Sequence, residues 1–215
     1  MLVHGAFRGG WSWDRVRPLL EAAGHDVRTP TLSADPKGLA TWVDEVAAQV
    51  PGVGTVLVGH SQGGVVVREV ALREEVRHVV YLDAAVPDPG ERAVDLADVV
   101  PDLLPPRGTV VPARPQTPGD DLDAATARWL NDRLVPTPFA PSLDRASDAV
   151  PTVPTTYAFC AGTPAAYPSG TTRRRLDERG TSYVVLDAGH DAPLTRPHLV
   201  AELLLAAADD RSDRA

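Results

Sequence analysis

A serine flanked by glycines, between a short apolar run and a helical pattern, constrains this chain more than any other feature. Thr55–Gly59 is typical of a buried strand, and Val65–Leu72 follows it as a predicted helix. Between them, Gly59-His60-Ser61-Gln62-Gly63 matches the pattern Gly-x-Ser-x-Gly. In this context the serine occupies a strained turn that lifts its hydroxyl above the sheet. The spacing predicts Ser61 as a nucleophile and the Gln62 amide, at the helix N-terminus, as a donor to an oxyanion.

Short apolar runs alternate with helical patterns on both sides of this turn. The other predicted strands are Leu2–Ala6, Val27–Thr29, His78–Leu82, Thr155–Cys160 and Tyr183–Leu186. The other predicted helices include Leu39–Val50, Thr171–Arg179 and Pro197–Ala208. Apolar strands separated by helices indicate an α/β fold, in which a mostly parallel sheet is covered by helices on both faces.

Proline interrupts this alternation in one segment. The chain contains 21 Pro, and thirteen of them lie between Pro87 and Pro154. Proline excludes long helices and internal strands, so short, turn-rich pieces are expected there, with one amphipathic helix at Asp121–Leu134. We therefore predict one α/β domain formed by residues 1–86 and 155–215, with a cap inserted at 87–154.

Charge and composition exclude several classes of partner. The formal net charge of −8 at pH 7 repels nucleic acid and anionic membranes, so neither is expected as a partner. No apolar run approaches the roughly 20 residues of a membrane span, and the N-terminal residues do not resemble a signal peptide. The single cysteine, Cys160, cannot form an intramolecular disulfide, which favours a reducing, cytoplasmic location.

A candidate base follows the last predicted strand. His190 lies in Asp187-Ala188-Gly189-His190-Asp191, and the order of serine then histidine suits a hydrolase triad. The other five histidines lie within the serine turn, flank strands or begin a helix. At the end of the first strand, His4-Gly5-Ala6 would supply a second oxyanion donor, through the amide of Ala6 or of Phe7.

Together these residues resemble the α/β-hydrolase superfamily, in particular the plant methylesterase and hydroxynitrile lyase-like group and its bacterial esterase relatives. The resemblance covers about residues 1–87 and 155–208. It rests on His4-Gly5-Ala6, Gly10-Trp11-Ser12-Trp13, Pro18-Leu19-Leu20-Glu21-Ala22-Ala23-Gly24-His25, the serine turn, Tyr81-Leu82-Asp83-Ala84, Gly189-His190 and Arg196-Pro197. The family implies an α/β-hydrolase fold and hydrolysis of small carboxylic esters by a Ser–Asp–His triad, without a cofactor or a metal.

The chain departs from the family pattern where the triad acid is expected. Thr163 occupies that place, and no carboxylate lies between residues 151 and 175. Three carboxylates could replace it: Asp83 at the end of a neighbouring strand, Asp187, and Asp191, which is expected to face solvent. Asp83 is predicted as the acid because its strand should end at the catalytic edge of the sheet, next to the nucleophile. A bare serine–histidine dyad or an acid from the cap remains an alternative.

The leading hypothesis is a serine hydrolase that cleaves a small or medium apolar ester or lactone through an acyl-enzyme on Ser61. Phe7 and the cap residue Trp129 are predicted to contact the substrate. The alternatives are a non-hydrolytic cyclase, acyl transferase or lyase of a natural-product pathway, and a ligand-binding protein on a hydrolase scaffold. Hydroxynitrile lyases of this group carry a hydroxyl residue and a lysine where this chain has Gly5 and Asp191, which disfavours cyanohydrin cleavage.

Overall fold

A five-stranded sheet organises the chain in a computed structural model, which describes residues 1–98, 103–119 and 121–209. In chain order the strands are β1 (Leu2–Val3), β2 (Val56–His60), β3 (His78–Leu82), β4 (Val110–Val111), β5 (Thr137–Pro138), β6 (Thr155–Cys160) and β7 (Val184–Leu186). The large sheet has the order β1-β2-β3-β6-β7, and each neighbouring pair runs parallel. The short strands β4 and β5 pair separately and antiparallel.

Helices lie between these strands and after the last of them. They are α1 (Arg17–Ala22), α2 (Leu39–Ala47), α3 (Gly63–Val70), α4 (Ala124–Asn131), α5 (Ala140–Leu143), α6 (Pro168–Arg179), α7 (Ala192–Thr195) and α8 (Pro197–Asp209), with 3₁₀ turns at Gly10–Trp13 and Ala93–Leu96. Among the described helices, none is long and apolar enough to cross a membrane.

The sheet separates two hydrophobic clusters. On one face α2 and α3 bury Trp42, Val43 and Val66 against the strands. On the other face Trp13 packs with Leu204 of α8. A parallel sheet with helices on both faces confirms the predicted α/β class.

Two predicted elements at the N-terminal side differ from the structure. The prediction of a strand at Val27–Thr29 was wrong, and β1 ends at Val3 rather than at Ala6. The Leu2 amide donates to the Arg28 carbonyl over 2.8 Å. That single bond places the segment beside β1 without forming the repeated ladder of a strand.

The proline-rich segment lies between β3 and β6 and consists of short pieces. The longest of its described helices is α4, which begins three residues later and ends three residues earlier than the predicted Asp121–Leu134. Asp123 caps the N-terminus of α4 by accepting from the amides of Ala125 and Thr126. The division into core and cap at residues 86 and 155 stays a prediction, and residues 210–215 of that core lie outside the described part.

Candidate active site

Ser61 occupies the turn between β2 and α3 with a left-handed backbone, φ 53°. A Cβ on Gly59 would lie 2.6 Å from the Val67 side chain, and one on Gly63 would lie 2.7 Å from the His4 carbonyl. Side chains at both positions would therefore collide with neighbouring atoms, which is the physical reason for the Gly-x-Ser-x-Gly spacing. A strained serine costs of order 1–3 kcal/mol and persists because the surrounding structure holds it.

The strand register brings Asp83 beside the nucleophile. His60 at the end of β2 pairs with Leu82 at the end of β3, so Ser61 and Asp83 leave the sheet side by side. Asp83 is only 1% exposed and also has a positive φ, 44°. The neighbouring strand therefore places a buried carboxylate at the edge of the sheet where Ser61 also emerges.

His190, which follows β7, contacts this carboxylate directly. Its Nδ1 lies 2.6 Å from Asp83 Oδ2, and the Thr163 hydroxyl donates to the same oxygen over 2.5 Å. Burial by itself raises the pKa of Asp83, but the hydrogen bonds and charge of His190, together with Thr163, lower the pKa below its usual value. With the Nδ1 proton facing a carboxylate, Nε2 is left as the nitrogen that can accept a proton from Ser61. Thr163, at the place where the family acid was expected, thus supports the carboxylate of Asp83.

The other two candidate carboxylates are placed differently. Asp187 is exposed. Asp191 is 12% exposed and pairs with Arg8, so the expectation that it faces solvent was wrong. Burial raises the pKa of Asp191, but the charge and hydrogen bonds of Arg8, together with His190 and His60, lower the pKa below its usual value. Among the carboxylates that the structure describes, only Asp83 contacts the His190 ring.

Two backbone amides are free to stabilise an oxyanion. The loop after β1 offers two candidate donors, the amides of Ala6 and Phe7. The Phe7 amide already donates to the Thr137 hydroxyl over 2.5 Å, so it is not available to an oxyanion. Within the described residues, neither the Ala6 nor the Gln62 amide has an acceptor. The predicted pair of Ala6 and Gln62 is therefore the available one.

His4 holds the peptide that carries the Ala6 amide. Its Nδ1 lies 2.8 Å from the Gly5 carbonyl, and its Nε2 accepts from the Leu32 amide over 3.0 Å. Since Nε2 accepts, Nδ1 must donate. Burial lowers the pKa of His4 to about 4, so the ring is neutral and acts as a fixed support near neutral pH.

The backbone of Gly5 lies close against Ser61. A Cβ at this position would lie 2.6 Å from the Ser61 Cβ and 3.2 Å from its hydroxyl oxygen. A hydroxyl-bearing side chain at residue 5 would therefore displace Ser61 or the loop. Asp191 pairs with Arg8, so the charge of Asp191 is largely neutralised at the place where hydroxynitrile lyases of this group carry a lysine.

Several residues near His190 were not found from the sequence. His60, 1% exposed, lies with Nε2 2.8 Å from the His190 carbonyl oxygen, and burial and then the charge of His190 lower the pKa of His60 to about 3. Asp121 accepts from the Gly189 amide over 2.9 Å. The Tyr167 ring meets the His190 ring edge to face, with centroids 4.8 Å apart. No sequence motif marks these contacts, since each joins segments far apart in the chain.

Ser61, Asp83 and His190 line one cavity of about 550 Å³. Its walls include Ala6, Phe7, Ser61, Gln62, Asp83 and His190, together with the apolar residues Ala93, Val94, Val111, Leu134 and Phe139. Phe7 is thus placed where a substrate could touch it. Trp129 is not among the lining residues: its ring packs on Trp11, with centroids 5.5 Å apart, and the Arg133 guanidinium lies over it at 4.2 Å. The prediction of Trp129 as a substrate contact is corrected, because α4 turns this ring toward the 3₁₀ turn after β1.

In the described ranges no group of three or more His, Cys, Asp or Glu side chains is arranged to hold a metal ion.

Another cavity, of about 700 Å³ and lined in part by Met1 and Leu204, contains neither Ser61 nor His190.

Comparison with known proteins places the chain in a family. A sequence model described as "Alpha/beta hydrolase family" matches residues 1–203. Among curated proteins, a carbendazim hydrolyzing esterase from Nocardioides sp. is 38% identical over 120 residues, 49% of this chain and 48% of the relative. Polyneuridine aldehyde esterase from Rauvolfia serpentina is 38% identical over 105 residues, 41% of this chain and 39% of the relative. The chain thus spans less than half the length of these curated relatives.

Solved structures share the fold over nearly the whole chain. A pyrethroid hydrolase from Sphingobium faniae has a TM-score of 0.73 at 22% identity, covering 98% of this chain and 97% of the other. A methylesterase from Arabidopsis has a TM-score of 0.75 at 22% identity, covering 96% and 98%. At this level of identity, these structures confirm the α/β-hydrolase fold.

Proposed function

The chain belongs to the alpha/beta hydrolase family, and on that premise we propose that it is a carboxylic-ester hydrolase with Ser61 as nucleophile, His190 as general base and Asp83 as the triad acid. The contact that carries this proposal is the 2.6 Å approach of His190 Nδ1 to Asp83 Oδ2, in the cavity that Ser61 also lines. It supplies the acid that the usual position, Thr163, lacks.

The reaction begins with attack of Ser61 Oγ on the acyl carbon while His190 Nε2 takes the hydroxyl proton. Asp83 stabilises the imidazolium, and the amides of Ala6 and Gln62 hold the tetrahedral oxyanion. Collapse breaks the ester bond, and His190 returns the proton to the leaving alcohol. Water, deprotonated by His190, then attacks the acyl-enzyme, and His190 returns that proton to Ser61 Oγ as the bond between Ser61 and the acyl group breaks and the acid is released.

The cavity supports a small or medium, mostly apolar ester or lactone as substrate. A volume of about 550 Å³ lies in the range of small-molecule sites, and aliphatic and aromatic side chains form much of its wall. Two similar proteins, a carbendazim hydrolyzing esterase and a pyrethroid hydrolase, support the proposal of small ester-like substrates. The buried, unpaired Cys160 supports a cytoplasmic location as part of this proposal.

The alternatives share the scaffold but use it differently. Relatives also carry the names norfluorocurarine synthase and alpha-hydroxynitrile lyase, so the fold alone does not select hydrolysis. Two features favour acyl transfer through Ser61 over a ligand-binding protein without activity. The amides of Ala6 and Gln62 lack an acceptor within the described residues, and His190 contacts the Asp83 carboxylate. Water as the final acceptor distinguishes a hydrolase from an acyl transferase or cyclase.

A fluorophosphonate probe with intact-mass detection tests the nucleophile. We expect one adduct on the wild type and none on Ser61→Ala, whereas Ser12→Ala, which removes a buried serine hydroxyl outside the cavity lining, should label normally. Absence of labelling on the folded wild type would refute the proposal. Turnover of p-nitrophenyl acetate and butyrate then separates hydrolysis, with continuous release, from a single burst without turnover, which would favour the non-hydrolytic alternatives.

A further inference from the structure

An ion pair that the mechanism above does not use joins the two catalytic loops. Arg8 donates from Nε and Nη2 to Asp191 Oδ1 over 2.9 and 2.5 Å, and the two side chains are only 8% and 12% exposed. The desolvation of both charges offsets much of their attraction, so such a pair contributes little to stability by itself. Its position suggests a different role.

Arg8 also restrains the loop that carries the oxyanion donor. Its Nη1 donates to the Ala6 carbonyl over 3.2 Å. Together with His4 on the Gly5 carbonyl and Thr137 on the Phe7 amide, this contact fixes the peptides on both sides of the Ala6 α-carbon. A planar guanidinium can bind the carboxylate and the carbonyl at once, because its donors point in fixed, different directions.

Asp191 restrains the other loop. It directly follows His190, and its carbonyl accepts from the Leu194 amide over 2.8 Å at the start of α7. A fixed Asp191 side chain therefore limits the movement of the neighbouring His190 backbone.

The sheet does not bring these two loops together. Ala6 and Arg8 follow β1, and His190 and Asp191 follow β7, which are the two edge strands in the order β1-β2-β3-β6-β7. The side-chain pair spans this separation above the carboxyl ends of the strands, across 183 positions in the sequence. It is a direct side-chain link between a loop that stabilises the oxyanion and the loop that carries the base.

We infer that Arg8 and Asp191 are positioning residues, which hold the oxyanion donor of Ala6 and the base His190 in the relative geometry that the transition state requires. The inference rests on the proposed function. Arg8 also lines the cavity that contains Ser61, whereas Asp191 does not, so a loss of kcat in variants of Asp191 alone reports on the link and not on a lost substrate contact. Since a misplacement of about 1 Å can cost about 10²-fold in rate, loosening this link should lower kcat and leave KM nearly unchanged.

Two variants of Asp191 separate geometry from charge. Asp191→Asn and Asp191→Ala both leave the Arg8 charge without its partner, but the amide oxygen of asparagine can still accept from the guanidinium. We expect kcat to fall about 3- to 10-fold in Asp191→Asn and about 30- to 100-fold in Asp191→Ala, with KM within about 3-fold of wild type. Equal losses in both variants would contradict a geometric link.

The pair Arg68–Glu69 provides a matched control. Its side chains are 3% and 12% exposed, and neither residue lines the catalytic cavity. Glu69→Ala should destabilise the fold more than Glu69→Gln. Thermal unfolding gives the folded fraction of each variant, and kcat per folded molecule should stay at the wild-type value. If kcat falls equally in the Glu69 and Asp191 series, the inference is overturned.

A double variant covers the case in which a lone buried arginine prevents folding. Arg8→Met with Asp191→Leu removes both charges and keeps an apolar contact, a replacement that buried pairs tolerate. We expect a folded protein with kcat lowered at least about 10-fold, and a wild-type kcat would refute the positioning role.

A signal independent of turnover distinguishes this inference from the proposed function. The proton between His190 Nδ1 and Asp83 should give a downfield-shifted NMR resonance in the wild type, and it should move or broaden in the double variant. If the double variant moves or broadens this resonance but the wild type hydrolyses no ester, the link is upheld and the proposed function is refuted. An unchanged resonance with unchanged kcat would refute the link alone.

Discussion

Replacing Asp83 by asparagine should disable the base while leaving the fold intact. Asp83 Oδ2 faces two groups, His190 Nδ1 at 2.6 Å and the Thr163 hydroxyl at 2.5 Å, and Oδ1 faces the Cys160 amide at 3.4 Å. In Asp83→Asn, the orientation that keeps an oxygen toward the Cys160 amide points the new NH₂ group at His190. The ring must then accept at Nδ1 and carry its proton on Nε2, where it cannot deprotonate Ser61.

The expected loss follows from that change of tautomer. Losing the correct tautomer costs up to about 10⁴ in kcat, or about 5 kcal/mol of transition-state stabilisation. If the new asparagine side chain turned its oxygen toward His190 instead, two N–H donors would face each other at Cys160. The hydrogen bond to the Cys160 amide would then be lost, but some activity would survive. We therefore expect kcat/KM to fall between about 10²- and 10⁴-fold. Hydrolysis of p-nitrophenyl acetate at pH 7 measures it.

Two further variants sharpen the result. Asp187→Asn, close in sequence to His190 but exposed, should retain wild-type kcat/KM. Adding Thr163→Asp to Asp83→Asn restores a carboxylate at the place that the family uses, where the threonine hydroxyl oxygen lies 2.5 Å from Asp83 Oδ2. We expect at least about a 10-fold recovery. If Asp83→Asn has a kcat/KM within about 3-fold of wild type, Asp83 is not the triad acid and the reasoning from the strand register fails.

Three other predictions address the loops and the buried histidines. Gly5→Ala should lower kcat at least about 10-fold, because its Cβ would lie 2.6 Å from the Ser61 Cβ, and a wild-type kcat in steady-state assays would show that the loop yields freely. Lowering the pH from 7 to 5 should reduce the free energy of unfolding by about 5 kcal/mol. About 4 kcal/mol of this comes from His4 and His60, which the unfolded chain protonates near pH 6.5 whereas the fold holds their pKa values at about 4 and about 3, and about 1 kcal/mol comes from the Met1 amino group, because burial lowers its pKa to about 6. Denaturant titrations at both pH values measure this, and equal stability would count against it. Trp129→Ala should lower the unfolding temperature by several degrees with kcat/KM within about 2-fold, and a selective rise in KM would return this residue to the substrate site.

The sequence predicted those parts of the site that local motifs and strand order determine. Ser61 follows from the glycine spacing, and Asp83 follows from the rule that parallel strands end at one edge of the sheet. His190 was chosen because it follows the last strand, downstream of the cap. In each case a regular element fixes where the residue emerges.

Contacts between distant segments could not be predicted in the same way. Asp191 was expected in solvent because nothing in its own loop indicates that Arg8 lies opposite. Trp129 is predicted to contact the substrate because it is an apolar residue of the predicted cap, but the direction of its side chain depends on tertiary packing. The Thr137 hydroxyl, which accepts from the Phe7 amide and leaves Ala6 as the candidate oxyanion donor of this loop, is a single contact between distant segments.

A crystal structure of the fluorophosphonate adduct tests the central claim most directly. The account predicts phosphorus bonded to Ser61 Oγ, with the phosphonyl oxygen about 2.7–3.1 Å from the amides of Ala6 and Gln62. It also predicts His190 between the adduct, through Nε2, and the Asp83 carboxylate, through Nδ1. A phosphonyl oxygen that points away from both amides, or a His190 ring whose Nδ1 meets a carboxylate other than Asp83, would contradict the account.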